Sequence, residues 1–281
     1  MRFFIWKRNE QLVHSIMKKD LKKLYPQWCA KKHNRNQCVG LDLDSIFSAS
    51  IEHHVHGYEI NYVYTFNGFW VLNPNDKRKV IGYDMALLHG YVWDNHVTMH
   101  NSKSYVNPNS ANLNAIFKIS TSNYTEKYAG STALQLWAYH KLPLPPTDEG
   151  KMLLLTIDSA FLGHYNHKFK EVHNEYLRTL GFEELIDLLE RKTLQDFKNA
   201  KINEIVTFKD GYLSYPQELI DHVESLLGIK LMIPQAQFTL VNSYAYEKQP
   251  IYKDIFKLKE NKVLSLAYTS KNYVKYTEVK Q

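Results

Sequence analysis

From residue 38 the chain alternates short apolar runs with longer segments of helical period. VGLDL reads as a strand buried on both faces. SIFSASIEHHVH follows as a helix, and Gly57 stands where a helix cap belongs. EINYVYTF alternates at period two and is rich in β-branched and aromatic residues, which predicts a strand. NPNDKRK is a polar turn. KVIGYDM is a second short apolar strand ending in Asp84, and GYVWDNH is a third, ending in Asp94, Asn95 and His96. A loop with NPNS at 107–110 precedes a helix, GSTALQLWAYHKL, over 130–142. LPLPPTDEG links it to GKMLLLTIDSAFLGHY, which reads as an apolar helix with one acid, Asp158, in its middle. Strands and helices in alternation predict parallel strands with helical crossovers, so the fold class is α/β, a parallel sheet with flanking helices.

The flanks have a different texture. In RNEQLVHSIMKKDLKKLYPQW, Leu12, Ile16, Leu21 and Leu24 recur at roughly helical spacing among lysines, so residues 1–36 read as a basic helical extension. Residues 37–185 form the main domain. A charged helical linker is expected over 186–201. Residues 202–281 read as a smaller mixed α/β unit with IVTF, KDGYLSY, KLMIPQAQFTLV and VLSLAYTSKNYVKY as strands and QELIDHVESLLG as a helix.

Composition narrows the class. With 44% hydrophobic and 14% aromatic residues, 281 residues can build a real core. No apolar run has the length of a membrane span, and MRFFIWKRNEQ has too short an apolar patch for a signal peptide. Cys29 and Cys38 do not make a disulfide framework and read as buried fillers. A reduced cytoplasmic protein, with neither a membrane nor a disulfide-linked partner, is the expectation. The net charge of +6 fits an anionic partner such as a nucleic acid or a nucleotide.

Three strands ending in acid are the chemical signal. In an open parallel sheet, ligands sit beyond the carboxyl ends of the strands. Asp42 with Asp44, then Asp84, then Asp94 with His96 would converge on that edge, and Asp158 could close over it. Carboxylates so crowded stay ionised together only beside cations, and hard oxygen ligands suit Mn²⁺ or Mg²⁺. Two such ions would clamp a phosphoryl group and activate water. The plain alternative is a helix N-cap and a first-turn acid, which accounts for one of Asp42 and Asp44. His53, His54 and His56, at the far end of the helix, read as solvated residues favoured by the dipole.

Taken together, LDLDSIFSA, VIGYDMAL, VWDNHV, the NPN after it, AGSTALQLW and LLLTIDSAF resemble, in order, the motifs of the DHH phosphoesterase superfamily. That group includes RecJ-type exonucleases, oligonucleotide and cyclic-dinucleotide phosphodiesterases and manganese pyrophosphatases. The resemblance covers roughly residues 37–168. It implies that Asp42 binds a first metal, Asp44 a second, that Asp84 bridges both, and that Asp158 completes the second metal's ligands. It implies that His96 contacts substrate phosphate or assists the leaving group, and that Asp94 orients its neighbours.

The chain departs from the pattern at named positions. Asn95 stands for the first histidine of D-H-H and would ligate through its amide oxygen. Cys38 stands where several branches have a histidine. Residues 202–281 lack the G-G-G-H loop, and Ala267 takes the place of an arginine. Substrate grip would then come from His164, Lys271 and Lys275, with Tyr268 and Tyr273 beside them. The expected activity is hydrolysis of a phosphodiester of a single-stranded or short oligonucleotide, or of a nucleotide, with two Mn²⁺ or Mg²⁺ ions. Two alternatives stay open: a catalytically weakened protein that binds nucleotide or single strand, and a haloacid-dehalogenase-type phosphatase with Asp42 as nucleophile.

Overall fold

The structure, a computed structural model, describes residues 20–200, 202, 206–251 and 262–279. Its centre is a parallel sheet of β2(Glu59–Tyr64), β1(Arg35–Val39), β4(Lys79–Tyr83), β5(Tyr91–Trp93) and β6(Ser110–Ala111) in that spatial order. The helix over 43–56 carries the chain from β1 back to the start of β2, whereas β4, β5 and β6 follow one another through loops. Beyond β2 the sheet turns antiparallel, through β3(Gly68–Val71), β9(Thr239–Pro250), β11(Tyr273–Val279) and β10(Val263–Tyr268), while β7(Thr207–Lys209) and β8(Tyr212–Ser214) pair as a separate hairpin.

This nine-stranded sheet curls. Its last strand, β10, meets the loop after β4: Leu88 N–H donates to Leu264 C=O and Leu266 N–H to Ala86 C=O. Tyr268 N–H also donates to Val97 C=O, beside His96. The C-terminal strands therefore reach the carboxyl edge of the parallel strands. The division expected near 186–201 is marked by no break in the sheet. Phe197, within that segment, is fully buried and stacks on Phe161 at 5.1 Å.

Two helices carry most of the layer on one face. α1(Leu43–His56) starts at an N-cap, Asp42, whose carboxylate accepts from Ser45 N–H, and ends at Gly57 with φ 73°. Only a residue without a Cβ takes that left-handed conformation at low cost. α2(Thr132–His140) lies against it, and Phe47 stacks on Trp137 at 6.0 Å. Further helices follow: α3(Asp148–Thr156), α4(Lys170–Leu180), α5(Glu183–Arg191), α6(Leu194–Ala200) and α7(Gln217–Leu227). Their buried leucines join one apolar core with the sheet.

Several expectations are corrected. The first strand is RNQCV, not VGLDL: Gly40 and Leu41 already belong to the turn. Asn36 and Gln37 are buried in that strand, and Gln37 Nε2 donates to Ala49 C=O at 2.8 Å and to Tyr83 Oη at 3.2 Å. GFWV forms β3, which the alternation did not signal, and KLMIPQAQF contributes no strand before Thr239. Of the N-terminal segment, residues 1–19, with Leu12 and Ile16, lie outside the described residues. Leu21 is buried as expected, but Leu24 is exposed. Tyr25, Trp28 and Cys29 join the main core.

Candidate metal centre at the carboxyl edge

The turn after β1 is fixed before any acid is placed. Ser45 Oγ donates to Tyr83 C=O at 2.7 Å and accepts from Gly40 N–H at 2.7 Å, which ties the end of β1 to the end of β4. Asp42 and Asp84 are thereby held at neighbouring strand ends. Asp44 is buried and reaches across to α2: its carboxylate accepts from Thr132 N–H at 2.8 Å and Ala133 N–H at 2.7 Å. The N-terminus of a helix offers unpaired N–H groups and a positive dipole end, so a buried carboxylate is stable there. Thr132 Oγ1 in turn donates to Asp84 at 2.9 Å. One helix end thus serves two of the expected ligands.

Asp94 is fully buried. It accepts from Ala86 N–H at 3.2 Å and Asn112 Nδ2 at 2.9 Å, and lies 2.7 Å from His96 Nδ1. It orients the loop and the imidazole, as expected. His96 Nδ1 is also 3.6 Å from Asp84. Its side chain is 35% exposed, so the ring faces the opening.

Two residues take unexpected settings. Asp158 is not in the middle of a helix: α3 ends at Thr156, and Asp158 and Ser159 adopt φ of 51° and 55° within an irregular 3₁₀ segment, Ile157–Gly163. Asp158 is exposed rather than buried in the helix face. Asn95 donates its amide Nδ2 to Gly130 C=O at 3.0 Å and to Asp158 at 3.2 Å. It holds Asp158 by donation, where ligation through the amide oxygen was expected.

The backbone around these groups is left-handed at Asp84, Ala86, Asp158 and Ser159, with φ of 56°, 49°, 51° and 55°. Each such non-glycine residue costs about 1 kcal/mol or more and persists only where neighbours impose it. Here the neighbours are Trp93 C=O, which accepts from Asp84 N–H, and Leu266 N–H, which donates to Ala86 C=O.

The acids act on one another. Burial, then the charges of Asp158 and Asp42, hold the Asp44 carboxyl well above the usual carboxylate range, against the pull of Ala133 and Thr132 N–H. Burial also raises Asp84; the His96 charge opposes it, and Asp44, Asp42 and Asp158 add to it. Burial alone would lower His96, but Asp84, Asp94 and Asp158 override it and push the imidazole up to about 10. This donor set, oxygen-rich and self-repelling, fits a hard divalent ion. Asp84, Asp94 and His96 present ligand atoms within 4.8 Å of one another. Asp42, Asp44 and Asp158 surround that set without joining it.

The sequence reading missed Lys127. Burial lowers its ammonium pKa and Asp158 opposes the shift, so it sits at the acids' edge, 5.1 Å from the Tyr124 ring centroid. The signal was KYAGS, just before the motif that opens α2. His164, expected to reach the cleft, is instead buried among the helices: Nδ1 lies 2.9 Å from Asn174 Oδ1, and Nε2 3.7 Å from Glu190. Lys271 is exposed in the β10–β11 turn, and Lys275 lies opposite Ala267 and Lys248. Tyr268 is buried, with its ring 5.7 Å from His100, whereas Tyr273 is exposed. Cys29 and Cys38 are buried free thiols whose pKa values burial raises, as expected of fillers.

A second group within 4.8 Å lies at the other end of the same helices: Glu52, His56 and His140. Among the described residues, these two groups are the ones close enough to hold an ion. No family model, curated protein or solved structure matches the chain. No helix among the described residues is long and apolar enough to cross a membrane.

Proposed function

We propose that the chain is a divalent-cation-dependent phosphoesterase acting on a phosphodiester of a single-stranded or short oligonucleotide, or of a nucleotide. One observation carries this reading: Asp84, Asp94 and His96 present ligand atoms within 4.8 Å of one another, and Asp44 shares the Thr132 helix end with Asp84. Uncompensated carboxylates in a buried cleft are costly, and a bound cation removes the cost. The resemblance to the DHH superfamily points the same way through the order of its motifs.

Mn²⁺ or Mg²⁺ held at Asp84, with Asp44 beside it on the same helix end and Asp42 and Asp158 as further anions around it, would supply Lewis acidity and an activated water. The residues of the chain do the rest. Asp94 fixes the His96 ring through Nδ1, which turns the remaining ring nitrogen to the phosphate or the leaving oxygen. As a cation at neutral pH, His96 can donate a proton there. Lys127 supplies a positive charge beside Asp158 for a second phosphate oxygen. The net charge of +6 favours a polyanionic substrate.

Incubation with Mn²⁺ and a labelled oligonucleotide, a cyclic dinucleotide or pyrophosphate tests the reading. Turnover of one of the first two, lost in both Asp42→Ala and Asp84→Ala, supports it. No metal-dependent turnover of any of them would overturn it. The second reading, binding without turnover, is favoured by Asn95, whose amide nitrogen donates to Asp158 where a ligating imidazole was expected. Tight Mn²⁺-dependent binding of an uncleaved oligonucleotide would select that reading.

A further inference from the structure

α1 and α2 run side by side in the same direction. Asp44 joins their N-termini through Thr132 and Ala133, and Glu52 joins their C-termini through His140. We propose that Glu52, His56 and His140 form a separate structural site for a borderline transition-metal cation of the Zn²⁺ class. This ion would clamp the C-terminal ends of the two helices, independently of the acidic rim.

Spacing is the first support. Glu52 and His56 are four residues apart on α1, so their side chains lie on one helix face. His140, the last residue of α2, meets them. His140 Nε2 is 2.8 Å from one Glu52 oxygen, and His56 Nε2 is 3.8 Å from the other. All three ligand atoms lie within 4.8 Å of one another. Ligands about 2.0–2.2 Å from a tetrahedral ion stand roughly 3.3 Å apart, so small rotamer changes close the set.

Chemistry is the second support. Two imidazoles and one carboxylate match Zn²⁺, whereas the more oxygen-rich rim of Asp84, Asp94 and His96 matches harder ions. The site also differs in burial: the Glu52, His140 and His56 side chains are 3%, 7% and 17% exposed. A nearly closed set of ligands is the mark of a structural site. A carboxylate buried this deeply needs a permanent partner, and one imidazole hydrogen bond engages only one of its oxygens at close range.

Two further features favour a cation here. The C-terminal ends of both helices carry the negative pole of their dipoles. A third imidazole stands close by. His33 Nε2 is buried with no hydrogen-bond partner and as a neutral imidazole can face an ion, while the charge of Lys32, like that of a protonated His33, lowers the His56 pKa and opposes one. Its backbone N–H is held by Tyr58 Oη at 2.8 Å, and the Tyr58 ring lies 5.2 Å from that of His56.

The test is a Zn²⁺ titration of the full chain against a chromophoric chelator, in excess Mg²⁺ to saturate the oxygen-rich rim. The wild type should take up one tight equivalent and melt at a higher temperature with it. Asp84→Asn, which alters only the rim, should retain that equivalent. His56→Ala and His140→Ala should weaken it by more than the ~10–100-fold that loss of an outer hydrogen-bond partner costs. Glu52→Gln can still accept the hydrogen bond from His140 but loses the anionic ligand. It therefore decides the matter if an alanine variant fails to fold. Co²⁺ in place of Zn²⁺ should give the visible spectrum of a tetrahedral or five-coordinate site. Absence of a tight equivalent in the wild type would overturn the proposal. So would an unchanged affinity in a folded Glu52→Gln, His56→Ala or His140→Ala protein. Because none of these readouts requires turnover, the outcome is separate from that of the phosphoesterase assay.

Discussion

The two ends of the α1–α2 pair make opposite use of the same geometry. At the N-termini, backbone N–H groups face Asp44, and carboxylates crowd around Asp84. At the C-termini, about 20 Å away along a 14-residue helix, histidines gather round one glutamate. The difference follows the dipole: the positive pole tolerates anions and the negative pole tolerates imidazolium or a cation. One end is open, with His96 35% exposed, and suits a substrate. The other is closed and suits a clamp.

The sharpest way to break this contrast is at Asp84. Asp84→Asn should lower metal-dependent turnover by at least about 10³-fold. The same change should leave the metal-free protein about as stable as before, because relief of repulsion from Asp44, Asp42 and Asp158 offsets the lost attraction of His96. Steady-state kinetics and a melting curve without divalent ions check both halves. Asp44→Ala should do the reverse to stability. It strands Thr132 N–H and Ala133 N–H, each bonded to a charged group, at a cost of roughly 2–5 kcal/mol by denaturant titration.

At the closed end, His140→Ala should cost about 1–3 kcal/mol by leaving buried Glu52 without its 2.8 Å partner. His54→Ala, on an exposed side chain of the same turn, should change stability by less than about 0.5 kcal/mol. Equal effects would erase the distinction between a built site and a solvated helix end.

The pH response sharpens the comparison further. His96 is raised in the folded state from 6.5 to about 10. Its contribution to stability is therefore fully present below pH 6.5 and is lost as pH rises through about 10. Without divalent ions, the advantage of wild type over His96→Gln should shrink across that window, as read by melting temperature. The smallest effect is expected on the curled strands. Lys271→Ala should alter oligonucleotide KM by less than about threefold, since an exposed charge is screened. Lys127→Ala, next to Asp158, should raise it by about tenfold.

How much of this was legible can be argued residue by residue. The strand ends at Asp84 and Asp94, the cap at Gly57 and the start of α2 all carry local signals: an apolar run stopped by a polar turn, or a glycine after a periodic segment. Asp158 was singled out for a wrong reason. Its apolar neighbours suggested a buried helical acid, but α3 ends two residues earlier and the chain turns left-handed. No local pattern announces that break, because it is imposed by contacts such as the Asn95 bond to Asp158. His56 was read as solvated since its partner, His140, is 84 positions away in a helix the pattern could place but not orient.

Hydrophobic periodicity thus determined that this chain makes an α/β sheet with parallel strands at its centre, and that acids stand at the ends of those strands. Both follow from short-range chemistry where the strands are apolar and their turns polar, as at β4 and β5; the polar β1 shows where that signal stops. Tertiary structure alone decided that β9, β10 and β11 extend the same sheet and curl onto Ala86 and Val97. It also decided which carboxylates share a helix end and which histidines meet Glu52. Those outcomes depend on sheet twist, register and helix packing, where contacts between distant residues compete, and no run of neighbouring side chains encodes the winner.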